Sequence, residues 1–476
     1  MQTPPDNALP PLCVDLDGTL LRSDLLVEST LVMLAQRPWL LFLLPVWLLR
    51  GKAHLKRQIA SRVAIDPANL PYDERVVALL RAQPGRRRVL CTASDESLAR
   101  PVAEHLGCFD EVIASDGQRN LAGSRKAEVL VQRFGERGFD YAGNGPIDLG
   151  VWAHARGALV VNAGNALATA AARRCEVLDH LPRTGGGLRV WLRALRVHQW
   201  LKNLLVFVPL LASHRMFETQ AVIAAVAGFI AFGLCASGVY LLNDLLDLPS
   251  DRQHPRKRLR PFAAGTLPLL QGAVLAPLLA LAGLALAWWA EPKFAGVLAV
   301  YYALTLGYSL RLKRVVMLDV ILLAALYTVR IIGGTVVIGA VLSFWLLAFS
   351  MFIFLSLALL KRYVELAAML GEGKISAAGR GYAVDDLPLL QSLGSAAGYL
   401  AVLVLALYIN SPDSITLYQH PQVLWLLCPL MLYWVSRTWV VAHRGGMDDD
   451  PVVFAATDRV SQVVGVLCAV IALWAI

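Results

Sequence analysis

The chain has 476 residues, 57% of them hydrophobic and only 17% charged, with a mean hydropathy of +0.55; a soluble protein carries about 25% charge, so a wholly soluble enzyme and a disordered chain are both excluded. The 44 Lys and Arg against 35 Asp and Glu give a net charge of +9, but cytoplasmic loops of membrane proteins carry such an excess anyway, and no nucleic-acid partner is expected. Residues 1–187 have ordinary polarity and read as mixed α/β, whereas 188–476 hold almost all the long apolar runs, which predicts a soluble head fused to a polytopic membrane domain.

In chain order, the opening MQTPPDNALP lacks the basic and apolar regions of a signal peptide, so the head is expected in the cytoplasm. The first strand, Leu12-Cys13-Val14, runs into Asp15-Leu16-Asp17-Gly18-Thr19. A buried strand ending in two carboxylates aims both beyond its carboxyl end, where open α/β sheets place their sites. Gly18 permits a tight turn and Thr19 can donate to a phosphate. A second strand, Arg88 to Cys91, ends in Thr92-Ala93-Ser94; Lys126 follows Gly123; and Tyr141-Ala142-Gly143-Asn144-Gly145-Pro146-Ile147-Asp148 closes the set.

These four runs resemble the motifs of the haloacid dehalogenase (HAD) phosphatase superfamily, which implies a Rossmann-like head over 10–182. The resemblance makes Asp15 the nucleophile that forms an aspartyl-phosphate. Asp17 would protonate the leaving oxygen and then activate water. Thr92 would hold the phosphoryl group and Lys126 would neutralise the aspartate–phosphate pair. One Mg²⁺ would sit among Asp15, Asp17, Asn144 and Asp148. Asn144 stands where the superfamily has an acid, which lowers the expected metal affinity and keeps a non-catalytic head as a competing reading.

Residues 22–86 leave room for a helical cap. Within it, Trp39 to Leu49 is an apolar run too short to span a bilayer, followed by Arg50, Lys52, Lys56 and Arg57. A buried cap helix and a helix lying in the membrane interface both fit that pattern. The seven cysteines show no metal or disulfide spacing and read as buried small hydrophobes.

After a glycine linker at 183–187, the membrane domain (188–476) offers about nine apolar segments, near 197–213, 221–242, 267–290, 294–310, 316–338, 341–360, 390–409, 421–441 and 458–476. One set of loops holds Arg252, Arg256, Lys257, Arg258, Arg260, Arg311, Lys313, Arg314, Lys361, Arg362, Lys374, Arg380, Arg437, Arg444 and Arg459; the other holds Arg215 and Lys293. The basic side should face the cytoplasm, giving a multi-pass inner-membrane protein.

The second segment ends in Asn243-Asp244-Leu245-Leu246-Asp247-Leu248-Pro249-Ser250-Asp251 and continues into the basic run from Arg252 to Arg260. On one helix face Asn243, Asp244, Asp247 and Asp251 would converge at the membrane surface, where ionisable groups are costly and usually functional. Oxygen donors of this kind suit Mg²⁺ bridging to phosphates, and the adjacent cations suit the phosphates themselves. Arg330, inside an apolar segment, reads either as an anion ligand or as helix-packing glue; Lys361-Arg362 as a ligand contact or a positive-inside anchor; and Asp448-Asp449-Asp450 as a solvated loop.

The Asn-Asp run resembles the UbiA superfamily of intramembrane prenyltransferases, which implies an all-α domain holding one or more Mg²⁺ with a diphosphate. The superfamily's second acidic motif is reduced here to Asp319. The features of 198–203 (His-Gln-Trp-Leu-Lys-Asn, with Lys202), His254 to Pro261, Tyr308-Ser309 with Lys313, Leu357 to Glu365 and Gly379-Arg380-Gly381-Tyr382 are similar to the decaprenyl-phosphate phosphoribosyltransferase branch. That branch implies phosphoribosyl diphosphate and a polyprenyl phosphate as substrates. Asn243, Asp244, Asp247 and Asp251 would then hold metal and diphosphate, and Lys257, Arg258 and Arg260 the phosphates. Lys202, Tyr308, Lys313, Asp319, Arg330, Lys361 and Arg362 would complete the substrate contacts. The head would remove the 5-phosphate afterwards. An aromatic prenyltransferase, which calls for a second acidic cluster, and a transferase with an inactive head are the alternatives; a homo-oligomer is left open.

Overall fold

The computed structural model describes residues 9–371, 381–447 and 450–476. Residues 1–8, Lys374, Gly379, Arg380, Asp448 and Asp449, which the sequence reading used, lie outside them. The chain divides into two compact units, Met1–Leu195 with Tyr240–Ala276, and Arg196–Val239 with Pro277–Ile476. This division does not follow the expected linker at 183–187, because the segment bearing the Asn-Asp run falls with the head.

The first unit is organised by a six-stranded parallel sheet in the order β3-β2-β1-β4-β5-β6. Its strands are β1 (Leu12–Val14), β2 (Arg88–Asp95), β3 (Glu111–Ser115), β4 (Asp140–Gly143), β5 (Gly157–Ala163) and β6 (Glu176–Pro182). β1 is apolar throughout and buried on both faces, as a central strand under two helical layers must be. The chain leaves β1 toward β2 and β3 on one side and returns to β4 on the other. The carboxyl ends of β1 and β4 therefore form the switch point where doubly wound sheets open a crevice.

A helical insertion, Leu25–Gln36, Pro38–Leu43, Leu44–Leu49 and Lys52–Ala60, follows β1 and closes on a small core of its own from Met33, Leu40, Trp47, Ile59 and Val63. The next helix, Glu74–Arg81, instead turns Val76, Val77 and Leu80 into the core of the sheet. Of the apolar run, Leu40 and Trp47 are buried, while Trp39, Leu41, Phe42, Leu43, Val46, Leu48 and Leu49 are exposed, Leu49 at 89%. A contiguous apolar surface of this kind is unusual in water, and it favours the interfacial of the two readings.

Among the described residues seven helices are long and apolar enough to cross a membrane: Thr219–Leu246, Leu269–Ala290, Pro292–Leu310, Leu318–Val337, Phe344–Leu370, Val384–Ile409 and Pro421–His443. An eighth results if Pro451–Thr457 and Arg459–Ala475, bent by 75° at their junction, are one span. Against the nine expected segments, the described residues hold seven such helices, or eight with the bent pair. The first, near 197–213, forms eleven residues of 3₁₀-helix, Val197–Phe207, and then a five-residue α-helix with Pro209 in its first turn. Apolar composition alone does not reveal such an interruption.

In the second unit, helices Phe344–Gly371 and Leu387–Ile409 pack side by side, and Ser356 donates to the Gly394 carbonyl at 2.6 Å. A Cβ on Gly394 would lie 2.2 Å from the Trp439 ring, so only glycine admits this approach. Six of the seven cysteines are buried and all are free.

Candidate functional site

The turn after β1 delivers Asp15 and Asp17 to the switch point. Its geometry depends on Gly18, whose φ of +77° is left-handed and whose Cβ would stand 2.1 Å from Asn144 Nδ2. Lys126, in the first turn of helix Ser124–Phe134, donates to Asp15 Oδ1 at 2.6 Å and to the Tyr141 hydroxyl at 2.8 Å. That hydroxyl donates to Asp148 Oδ1 at 3.0 Å. Asp148 Oδ2 accepts the amides of Asn144 and Gly145 at 3.0 and 2.9 Å. Asp17 accepts the Leu25 amide and the Ser94 hydroxyl, both at 2.7 Å. Asp15, Asp17, Lys126, Asn144 and Asp148 line one cavity of about 200 Å³.

Electrostatics follow from that crowding. Burial works against the Lys126 charge, but the Asp15 carboxylate beside it holds the ammonium well above its ordinary range. Burial, then Asp15, pushes the Asp148 carboxyl up. Burial, followed by the carboxylates of Asp24 and Asp15, raises Asp17 from 3.8 to about 7. The folded head thus holds a proton that the unfolded chain releases near 4, so its stability falls as pH rises from about 4 through about 7. Asp17→Asn keeps the hydrogen-bonding shape without the charge. In EDTA it is expected to melt above wild type at pH 8 and to converge with it near pH 4; parallel curves at both pH values would remove Asp17 as the cause.

Two residues redistribute the expected roles. Thr92 is buried, does not line the cavity, and accepts the Ser94 amide at 3.0 Å; the hydroxyl that faces the site is that of Ser94. Lys56 enters from the insertion, donating to the Ala93 carbonyl at 2.5 Å and to Asn120 at 2.9 Å, and burial lowers its pKa. No motif spacing marks Lys56, because its helix comes from the cap.

Helix Thr219–Leu246, whose last residues from Tyr240 belong to the first unit, ends just before Asp247, and a short helix, Leu248–Gln253, starts after it with Pro249 in its first turn. Asn243, Asp244, Asp247 and Asp251 therefore do not share one continuous helix. Asp244 and Asp251, each 2% exposed, converge instead on Arg260 Nη1, at 3.1 and 2.7 Å. Arg260, expected to bind phosphate, is here the counter-ion of the carboxylates. Asn243 and Asp247 are half-buried, and Lys257 and Arg258 are exposed on a 3₁₀-turn. Among the described residues no group of three or more His, Cys, Asp or Glu is arranged to hold a metal ion; the oxygen donors at hand are Asp15, Asp148 and Asn144 after the sheet, and Asp244 and Asp251 here.

Arg252, next to Asp251, makes a two-pronged bond to Glu28 at 2.7 and 2.8 Å, with both side chains under 9% exposed. Glu28 lies in helix Leu25–Gln36, whose first amide is the one on Asp17. Removing one partner of such a pair leaves a buried charge and costs about 3–5 kcal/mol, whereas an apolar replacement of both is often close to neutral. Glu28→Ala is expected to lower the denaturation midpoint accordingly, and Glu28→Leu with Arg252→Leu to restore most of it; a double variant as unstable as the single would place the loss elsewhere.

Three further clusters lie among the described residues of the second unit. Arg362 donates to Asp319 and Glu365, each at 2.5 Å, and to the Tyr308 hydroxyl at 2.9 Å, while Tyr382 donates to Asp319 at 2.6 Å. Lys202 and Lys361 both pair with Asp450, which also caps helix Pro451–Thr457. Asp450 is therefore a half-buried counter-ion rather than part of a solvated loop. Arg330 donates to Asn203 at 2.9 Å, to the Leu326 carbonyl at 2.6 Å and to the Tyr301 hydroxyl at 2.8 Å, and it lies over the Tyr301 ring. These bonds fit the helix-packing role. Lys313 is half-buried on the turn Leu312–Arg314.

The model of the UbiA prenyltransferase family matches residues 204–460. The chain belongs to the UbiA prenyltransferase family. A haloacid dehalogenase-like hydrolase model matches 12–151, so this UbiA member carries a HAD-like domain ahead of its helices. A protein of Sinorhizobium fredii, uncharacterized protein y4nM, is 39% identical over 98% of this chain and 90% of its own length. Nodulation protein NoeC of Azorhizobium caulinodans is 38% identical over 57% of this chain and 88% of its own. Decaprenyl-phosphate phosphoribosyltransferase of Mycolicibacterium smegmatis is 33% identical over 57% and 87%. Among solved structures, a UbiA homolog from Archaeoglobus fulgidus bound to GPP and Mg²⁺ aligns with 60% of this chain and 98% of that one, at 15% identity and a TM-score of 0.45.

Proposed function

We propose that this UbiA-family enzyme transfers 5-phosphoribosyl from phosphoribosyl diphosphate to a polyprenyl phosphate, and that its HAD-like domain then removes the 5-phosphate to leave polyprenylphosphoryl ribose. The multi-pass domain sits in the inner membrane with the head in the cytoplasm, the side its basic loops favour, and the exposed face of Trp39 to Leu49 rests in the interface. The observation that carries the two-step reading is a pair of built polar sites on one chain: Asp15 with Lys126 beside Asp17, and the buried Asp244 and Asp251 converging on one cation. Kinship with a phosphoribosyltransferase favours the first substrate.

In the transfer, the phosphate nucleophile is already anionic, so no general base is called for. Asp244 and Asp251, with Asn243 and Asp247, supply oxygen donors for a divalent cation, and Lys257 and Arg258 supply exposed charge for phosphates. In the head, Lys126 holds Asp15 Oδ1 at 2.6 Å whereas Thr19 reaches Oδ2 only at 3.4 Å, so the less firmly held Oδ2 is the attacking oxygen. Asp17, protonated below about 7, gives its proton to the leaving sugar oxygen and recovers one from the water that cleaves the acyl-phosphate. Asp15, Asp148 and Asn144 are donors of the class Mg²⁺ takes, and two carboxylates with an amide fit it; bound there, Mg²⁺ supplies positive charge against the phosphoryl oxygens.

The test is detergent-purified protein with labelled phosphoribosyl diphosphate, Mg²⁺ and polyprenyl phosphate, followed by lipid extraction and mass analysis. Labelled lipid-linked ribose is the expected product. No labelled lipid would overturn the phosphoribosyl reading.

A further inference from the structure

A second cavity of about 370 Å³ also has Asp17 in its wall. Asp17, Asp24 and Asn144 line both cavities, but Asp15 and Lys126 line only the smaller. That partition has a chemical meaning. A group that protonates the leaving oxygen must lie between the phosphorus and the leaving group. The smaller cavity, with its nucleophile and lysine, is the phosphoryl side, so the larger one is where the leaving alcohol lies.

Its lining describes that alcohol. Arg22 reaches Asp73 only at 3.4 Å, and Asp73 is already held by Arg75 at 2.7 and 2.9 Å; the buried Arg22 Nε has no hydrogen bond. Arg183, exposed after β6, makes no ion pair among the described residues. Arg22, paired with Asp73 only at 3.4 Å, and the exposed Arg183 bring two guanidiniums to one cavity, a lining that suits an anion. The remaining wall is Pro268, Leu269 and Leu270. Leu269 opens the 22-residue apolar helix Leu269–Ala290, long enough to cross a membrane, and Leu270 is 61% exposed. A sugar free in water has no use for such a wall, whereas an alcohol tethered to a membrane lipid would run along it.

We infer that this cavity is a leaving-group subsite for an anionic, lipid-linked sugar, its phosphodiester on Arg22 and Arg183 and the start of its apolar chain on Pro268, Leu269 and Leu270. The assignment rests on the phosphatase reading above and narrows its substrate class to membrane-borne phosphomonoesters. The step itself balances: the bond from phosphorus to the sugar oxygen breaks, the phosphoryl group passes to Asp15, and the Asp17 proton goes to the freed oxygen.

The experiment compares two substrates on the full-length protein in detergent: polyprenylphosphoryl 5-phosphoribose in micelles and ribose 5-phosphate in solution. The readout is the ratio of their kcat/KM values for phosphate release. Wild type is expected to favour the lipid-linked substrate by roughly a hundredfold or more. Arg183→Glu, at an exposed position that folding tolerates, should cut that ratio roughly ten- to a hundredfold, chiefly through KM of the lipid substrate. Leu270→Asn should cut it by a smaller factor. A ratio identical in all three proteins, with both substrates hydrolysed, overturns the subsite and leaves the phosphatase standing. Hydrolysis of neither substrate by wild type overturns the phosphatase reading and the subsite with it.

Discussion

In Asp15→Asn, lipid-linked 5-phosphoribose is expected to accumulate where wild type yields lipid-linked ribose, with phosphate release down by roughly 10³-fold or more, as when other enzymes lose their nucleophile. The reason is local. Asn keeps the shape and can still accept from Lys126, but its amide is no nucleophile, and the charge that holds the Lys126 ammonium well above its ordinary range is gone. Asp148 should feel the change too, since Asp15 is the second cause, after burial, of its raised pKa. The transferase step should persist, because the bonds of the Asp15 side chain go to Lys126 and Thr19, within the head. Mass analysis of the extracted lipid decides it: ribose-terminated lipid from the variant at wild-type rate would make the head a bystander, and 5-phosphoribosyl lipid from both proteins alike would make it inactive.

The parts legible in the sequence are those where a motif and a secondary-structure boundary coincide. Asp15 and Asp17 follow an apolar strand, and Lys126 opens a helix after Gly123, so chain order sufficed to bring them together. The parts that escaped depend on contacts between distant segments. Arg362 and Asp319 were each readable as a substrate ligand, yet they lie 43 residues apart and neutralise one another. Arg260 sits in a basic run that suggests phosphate, but the break at Asp247 and the turn from His254 swing it back onto Asp244 and Asp251. Thr92 and Ser94 lie two residues apart in one strand, and sequence cannot tell that Ser94 bonds Asp17 while Thr92 accepts the Ser94 amide. The short first apolar segment failed as a span because hydropathy counts residues and is blind to an eleven-residue 3₁₀ stretch. Glu28 with Arg252 could not be read at all: two opposite charges 224 positions apart give no local signal.

Asp251→Asn is expected to reduce lipid phosphoribosylation by roughly 10²-fold or more, the scale on which a lost electrostatic contact to a transition state is felt, and Arg260→Ala tells why. In the structure Asp244 and Asp251 are two buried carboxylates sharing one guanidinium. If they serve only to anchor Arg260, then Arg260→Ala leaves two buried like charges, lowers stability, and gains nothing specific from Mg²⁺. If they are the cation site, the same variant removes the guanidinium that competes with a cation for their oxygens, and Mg²⁺ replaces the lost charge. A cation present at a hundredfold its Kd adds about 2.7 kcal/mol to the folded state, enough to move a melting curve by several degrees. The expected result is a Mg²⁺-dependent rise in Tm that is larger in Arg260→Ala than in wild type and absent from the double variant Asp251→Asn with Arg260→Ala. Ca²⁺, which prefers more ligands at longer distance, should give less. Equal Mg²⁺ responses in all three proteins, together with full transfer activity in Asp251→Asn, would return both carboxylates to a structural role.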